Sequence, residues 1–534
     1  MARERRQTDE ATVRFNYDDD WGILAIFRFC LDFSIHTINY STKAFDLINT
    51  VAISNGLIHI GRALFIEKYD FAWGSASIFS ITRSSQPALT RVIADSIVNL
   101  TFDKIPEDAI EDVKKLFLDY LGCALAGASG RIAKHGRIVA DLVRELGGNG
   151  ESSIIGYTHK VPAPMAALAN GTLSHCVELD DVDLFGPIHV SAPVISSALA
   201  LAEKKQVGGK SLIQATLAGC DLMARIAYAL GPSHRLDFEY HPTSTCGTFG
   251  AAVAAGKVLN LTGKMMLNAL GLAGVQAMGT MEGFVAEEAG MHKPFQVGRS
   301  AQSGVIAALL AERNYTGPTT IIEWLFKAQS KSPDLNKITD RLGEKLIHNW
   351  GFKPYACFGS FHAAIDCALK MTSTYEIESE EIEKILVCRH PDWSFYNRVW
   401  QPKTVAAAQG SLPYSVAVAI IDGACLLEQY SEERLRDPNV MKLSKKVEFL
   451  PADPSLPSIG VRMTIKMRDG AEYTTQVDYP KGHKKNPLID EDLRTKFKIL
   501  ASQLLDKEKS EKLIELVSRL ENVEDISVIH DLIY

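Results

Sequence analysis

The 534-residue sequence contains no CxxC pair, no GxxxxGK[ST] and no GxGxxG. These absences exclude a zinc ribbon, a phosphate loop and the usual dinucleotide fingerprint. Its nine cysteines are widely spaced and odd in number. They make no disulfide framework, and they fit a reducing compartment as small buried hydrophobes. There is no block of like charge, and 57 Lys+Arg against 64 Asp+Glu leave a net charge of -7. A dedicated nucleic-acid binder needs a basic face that this balance does not supply. No early apolar run is clean enough to span a bilayer, since the best stretch, 22–38, carries Arg28, Asp32 and His36. The first residues, MARERRQTDE, mix both signs of charge, which fits neither a secretory signal nor an acid-poor mitochondrial presequence. A cytoplasmic protein with no nucleic-acid or membrane partner is expected, with the mitochondrion left open.

What is present is an ordinary globular composition, 46% hydrophobic and 23% charged. That length and balance suggest two to four domains and an enzyme or large binding protein. Residues 1–80 differ from the rest, with 13 of the 44 aromatics and only 4 of the 38 glycines. From about residue 90 the pattern is helical. Ile110, Val113, Phe117, Tyr120, Leu121 and Ala124 recur at three- and four-residue steps behind Pro106, Glu107 and Asp108. Helices rich in Ala, Gly, Ser and Thr are predicted over 164–175, 193–205, 209–230, 245–261 and 301–314. After Trp350 the character changes: IEKILVCRH reads as a strand, and residues 460–479 alternate around Asp469-Gly470 as a hairpin. A helix is predicted over 405–423, and the helical pattern returns from Leu488.

Five clusters could carry chemistry. In HCVELDDVDLFGPIHV, His175, Glu178, Asp180, Asp181, Asp183 and His189 fall within fifteen positions. Proton transfer, a divalent-metal site and a polar loop of helix-capping acids are all open for them. In YHPTSTCG, His241 precedes a helix start where backbone N–H groups attract an anion. In MHKPFQVGRSAQSG, His292, Lys293 and Arg299 lie just ahead of a predicted helix and suit carboxylate clamping. FKPYACFGSFHAA supplies Lys353, Tyr355, Cys357 and His362, and GSLPYSVA places Tyr414 at a helix start. The set suits proton chemistry on a small polyanion, with no cofactor motif.

In this order, LDYLGCALAG, ANGTLSHCVELDD with IHVSAPV, YHPTSTCGTFGAAVAAGK, MHKPFQVGRSAQSG and FKPYACFGSFHAA resemble the MmgE/PrpD family, which includes 2-methylcitrate and alkylcitrate dehydratases, cis-aconitate decarboxylases and iminodisuccinate epimerases. The resemblance runs from about residue 90 to the C-terminus. It implies a mostly α fold, in which a large all-helical domain (89–349 and 483–534) is interrupted by a smaller α/β lid domain (350–482). Residues 1–88 form an extension of unknown role. It further implies a homodimer and a site that needs no metal or other cofactor. Glu178 stands where the decarboxylase branch has Asp, and Asp180 and Asp181 match the acidic pair. His189, His241, Lys293, Lys353 and Tyr414 match site residues. A histidine found five residues after that second lysine in animal decarboxylases is Phe358 here.

The expectation is therefore a cofactor-independent lyase on a citrate-like tricarboxylate, with dehydration of 2-methylcitrate or an alkylcitrate, as in secondary metabolism, ahead of decarboxylation or epimerisation. His189 would be the base, oriented by Asp180 or Asp181, and His241 or Tyr414 the acid. Glu178, Lys293, Arg299 and Lys353 would bind substrate. A non-catalytic carboxylate binder and a metal hydrolase are the rival classes.

Overall fold

The structure, a computed structural model, describes residues 48–54, 57–63 and 88–534. The readings of the N-terminal signal, of 22–38 and of most of the 1–88 extension lie outside the described residues. Within that extension, strands Ile48–Ser54 and Leu57–Ala63 pair antiparallel as a hairpin, a unit of its own. The remainder, Gln86–Tyr534, forms one compact unit dominated by helices. Among its described helices none is long and apolar enough to cross a membrane.

Pro106 caps helix Glu107–Ser129, whose first turn carries Glu107 and Asp108, and Gly130 ends it in the left-handed conformation at φ 64°. Helices Ala163–His175, Ser191–Lys205, Gly209–Leu230, Pro242–Val258 and His292–Glu312 follow. Their small residues allow close approach. A Cβ on Gly298 would lie 2.4 Å from the Leu168 carbonyl oxygen, so helix His292–Glu312 presses directly on Ala163–His175. That contact brings the start of one helix to the end of the other.

Two sequence expectations are corrected here. Lys293 and Arg299 do not precede their helix; they lie inside it, because the helix begins at His292. The single helix expected over 405–423 is two, Val405–Gln409 and Leu412–Asp422. Ser411 caps the second by accepting from the Tyr414 N–H, and Pro413 occupies its first turn.

Four strands share one sheet in the order Val447–Phe449, Ile382–Arg389, Val461–Met467, Glu472–Val477. The first pair is parallel and the other two are antiparallel. Val461–Met467 alternates buried and half-buried positions, and Gly470 takes φ 92° in its turn. Helix His362–Thr374 covers this sheet, and helix Asp490–Ala501 packs back against Glu107–Ser129. The apolar interior forms two clusters, one centred on the long helices and one on the sheet. Cys176, Val177 and Leu179, which follow helix Ala163–His175, belong to the second. The Gln409 amide ties that loop down by donating to the Val177 and Ala356 carbonyls at 3.2 and 3.1 Å. The acidic motif therefore runs along the seam between the two cores.

Candidate active site

His175 ends its helix fully buried, with Nδ1 2.7 Å from Asp180 Oδ2. A carboxylate can only accept, so Nδ1 carries the proton and Nε2 is a bare acceptor. Lys293 Nζ donates to that Nε2 at 2.8 Å and also bonds Glu178. Burial first, then the Lys293 charge, holds His175 well below the ordinary histidine range, so it is neutral.

His189 is fixed in the same way. Its Nδ1 lies 2.6 Å from the Asp181 carbonyl oxygen, which has no proton to give, and 3.4 Å from Asp180 Oδ2. The proton therefore sits on Nδ1, and Nε2 offers a lone pair to the cleft that His189 lines. Burial, against the pull of Asp180, keeps this ring neutral as well. Asp181 does its work locally. Its carboxyl accepts the N–H groups of Val190 and Ser191 at 2.8 and 3.1 Å, which pins the start of helix Ser191–Lys205 and the histidine before it. Burial and the neighbouring Asp180 push its carboxyl up to about 7. Asp183 braces the intervening loop through Tyr228 and the Phe185 N–H.

Glu178 stands at φ 54°, a left-handed conformation that costs a non-glycine residue energy. Lys293 and Lys353 hold it there. Burial would raise its carboxyl, but the two ammonium groups outweigh burial and set it at about 2. Lys353 Nζ lies 3.4 Å from Glu178 Oε2 and 3.6 Å from Asp180 Oδ1, and its side chain has no exposure. It sits beneath the acids and does not line the cleft, which corrects its expected contact with substrate.

The cleft is lined by Glu178, His189, His241 and Lys293 on its polar side. His241 caps helix Pro242–Val258, and its Nδ1 is buried with no partner among the described residues. Burial and Lys293 keep this third histidine neutral too. Phe358 lines the cleft beside Lys293, its ring centroid 5.1 Å from Lys293 Nζ.

Two expected residues are not brought here. Arg299 is exposed and bonds Gln302, because six residues along a helix turn it about 120° away from Lys293. Tyr414 is buried in the sheet-side core against Tyr430, and its hydroxyl donates to the Gln429 carbonyl at 2.7 Å. Conversely, His175 had no assigned role, although its place five residues before Asp180 in the acidic run could have suggested one. Arg235 was missed altogether; the sequence shows only a basic residue six positions before His241.

His175, Asp180 and His189 offer ligand atoms within 4.8 Å of one another, a geometry that could gather a metal ion. Two ammonium groups already occupy the surroundings, and both Nδ1 atoms are spent on donated hydrogen bonds. A divalent cation would meet repulsion there, so the arrangement suits proton transfer better than metal binding.

Three neutral histidines, paired carboxylates and a buried lysine around a cleft define an acid–base site built on a helical scaffold. The chain belongs to the MmgE/PrpD family: the MmgE/PrpD N-terminal domain matches residues 91–334 and the C-terminal domain matches 355–522. It is 29% identical to the cis-aconitate decarboxylase of Aspergillus terreus, over 85% of this chain and 97% of that one. The human cis-aconitate decarboxylase is 27% identical over 84% of this chain and 94% of its own length. The 2-methylcitrate dehydratase of Salmonella typhimurium is 24% identical, over 73% of this chain and 85% of that one.

Proposed function

We propose that the chain is a carboxy-lyase acting on a cis-aconitate-like tricarboxylate. The observation that carries this is coverage: a relative named for that reaction aligns over 97% of its own length, against 85% for the dehydratase. The expectation of dehydration gives way to it.

When CO2 leaves a carboxylate allylic to a carbon–carbon double bond, the bonding pair enters the conjugated system. It spreads onto a neighbouring carboxylate as an ene-diolate, and one proton added at carbon completes the product. The chain must supply that proton and stabilise the charge. Phe358 has none to give. On the same wall Lys293 does, and burial lowers its pKa, which makes it a better acid near neutrality. Lys293 is thus the proton donor in this reading, and the neutral amine it leaves can still donate an N–H to His175 Nε2. His241 stabilises developing negative charge from the edge of its helix. Residues 350–482, which bring Phe358 and Trp393 to the cleft, act as the lid that excludes water.

Hydration–dehydration is the second reading, because His189 Nε2 is a bare lone pair suited to take a proton alpha to a carboxylate. Incubating the purified chain separately with cis-aconitate and with 2-methylcitrate distinguishes them. CO2 release from the first supports the proposal. Alkene formation from the second without CO2 release replaces it, and turnover of neither overturns both.

A further inference from the structure

The cleft has two cationic side chains in its lining, Lys293 and Arg235. Lys293 is neutralised by Glu178. Arg235 has no such direct partner: no carboxylate oxygen among the described residues lies within 4 Å of its guanidinium, although Asp392 and the Tyr396 hydroxyl favour its charged form from nearby. Its side chain comes from the short turn of helix Ser233–Leu236, and the residue is only 9% exposed. Nε and Nη1 are buried and have no hydrogen-bond partner among the described residues. Leaving a guanidinium in this state costs more than an exposed surface arginine would, and such orphans call for an explanation.

Its surroundings explain how the group is held. The guanidinium carbon lies 4.3 Å from the Trp393 ring centroid and 5.4 Å from that of Tyr396. The two rings lie with their planes 72° apart and their centroids 6.1 Å from each other, so they attract the cation from adjacent sides. What stays free are Nε–H and Nη1–H of the rigid guanidinium fork, each able to donate a charge-assisted hydrogen bond to a carboxylate oxygen. Trp393 and Tyr396 come from the sheet side of the molecule, Arg235 from the long-helix side, and all three line the cleft.

Resting on the tricarboxylate reading above, we propose that Arg235 is the carboxylate-binding residue of this cleft and that it holds a substrate carboxylate which does not react. It determines specificity for a substrate with an anionic group besides those at the Lys293 end. Lys293 and the histidines then act at carbon, free of the task of anchoring the ligand.

The test is titration calorimetry of the full chain with propane-1,2,3-tricarboxylate, which has no double bond to react, and with its monoamide. Arg235→Gln should weaken tricarboxylate binding about 10- to 100-fold, the range for a lost charge-assisted hydrogen-bond pair. It should weaken the monoamide by clearly less. Arg235→Lys keeps a cation on the ring but loses the fork; it should fall in between and serves as the probe if the glutamine chain does not fold. Equal affinity of wild type and Arg235→Gln for the tricarboxylate overturns the assignment. So does an equal loss for both ligands, which marks Arg235 as a structural support of the wall. If the wild-type chain binds neither ligand, it is the tricarboxylate reading that fails.

Discussion

Replacing Lys353 by Met should damage the site from underneath while leaving the cleft itself open. Its ammonium sits 3.4 Å from Glu178 and 3.6 Å from Asp180, with no exposure. At an effective dielectric constant near 20, each contact is worth about 5 kcal/mol before desolvation is deducted. Deleting one partner of such a buried group typically costs about 3–5 kcal/mol, because the acids are stranded. The carboxyl of Glu178 gives an independent measure. It is held at about 2 against an ordinary 4.5, a stabilisation of about 3 kcal/mol that Lys353 shares with Lys293. Since the folded value lies below the unfolded one, that contribution is complete above pH 4.5 and disappears as the pH falls towards 2. For a unit of about 450 residues the entropy of unfolding is near 1 kcal/mol per kelvin, so the melting temperature at pH 7 should drop by about 3–5 °C. Adding Glu178→Gln should recover part of the loss, as in a double-mutant cycle. Kinetically, kcat should fall while KM for the tricarboxylate holds, because Lys353 lies outside the cleft. Melting by calorimetry and steady-state rates check both halves. A melting temperature unchanged to within about 1 °C, or a KM that rises with kcat intact, would refute the reasoning.

The remaining expectations are narrower. Asp181 is raised from 3.8 to about 7, so its contribution is full below pH 3.8 and is lost as the pH climbs through 7; Asp181→Asn should flatten that decline in urea melts recorded between pH 4 and 8. Arg299→Ala and Tyr414→Phe should leave kcat/KM within about twofold, with the tyrosine change costing about 1 kcal/mol of stability for its lost hydrogen bond; a large rate loss in either would return that residue to the site. A chelator should leave the rate unchanged, since Lys293 and Lys353 already supply the positive charge of the cluster, and recovery of activity by an added divalent ion would contradict this. Phe358→His should shift the pH–rate profile, because a polar ring in place of the apolar one eases the burial that lowers Lys293.

Local signals made the helices readable. Small-residue helices over 164–175 and 209–230 lie within a residue of the observed ones, because periodicity and flanking Pro or Gly act over a few positions. The hairpin at Asp469-Gly470 was legible for the same reason. Lys293 was misplaced relative to its helix because the small-residue pattern becomes regular only from Ala301, whereas the helix already begins at His292 and takes Pro294 into its first turn. The fates of Arg299, Tyr414 and Lys353 depend on which face a residue shows and how deep it lies, and a chain read without its partners carries neither fact. Arg235 is the clearest case. Nothing around it in sequence marks it, since the aromatic rings that hold it lie about 160 residues further on.

The charge arrangement accounts for the division of labour in the cleft. The charges of Glu178, Asp180, Lys293 and Lys353 offset one another, and the three histidines are neutral, so the cluster gains little by drawing in another anion. What it holds ready is a proton on Lys293, a bare lone pair on His189 and an unpartnered edge on His241. Such groups discriminate between stages of a reaction far better than between ligands. An anchoring group has to stand apart from them, carry a charge that nothing else cancels, and be shielded from water. Arg235, held against Trp393 and Tyr396 with no carboxylate in contact and little exposure, comes nearest to these conditions. The apolar Phe358 wall follows the same logic: by excluding water beside Lys293 it keeps that ammonium easy to deprotonate. A histidine there would supply a second proton source and remove the need for the first. In the proposed reaction the departure at 358 therefore moves the acid one side chain away, and the tricarboxylate chemistry proposed for the cleft can stay the same.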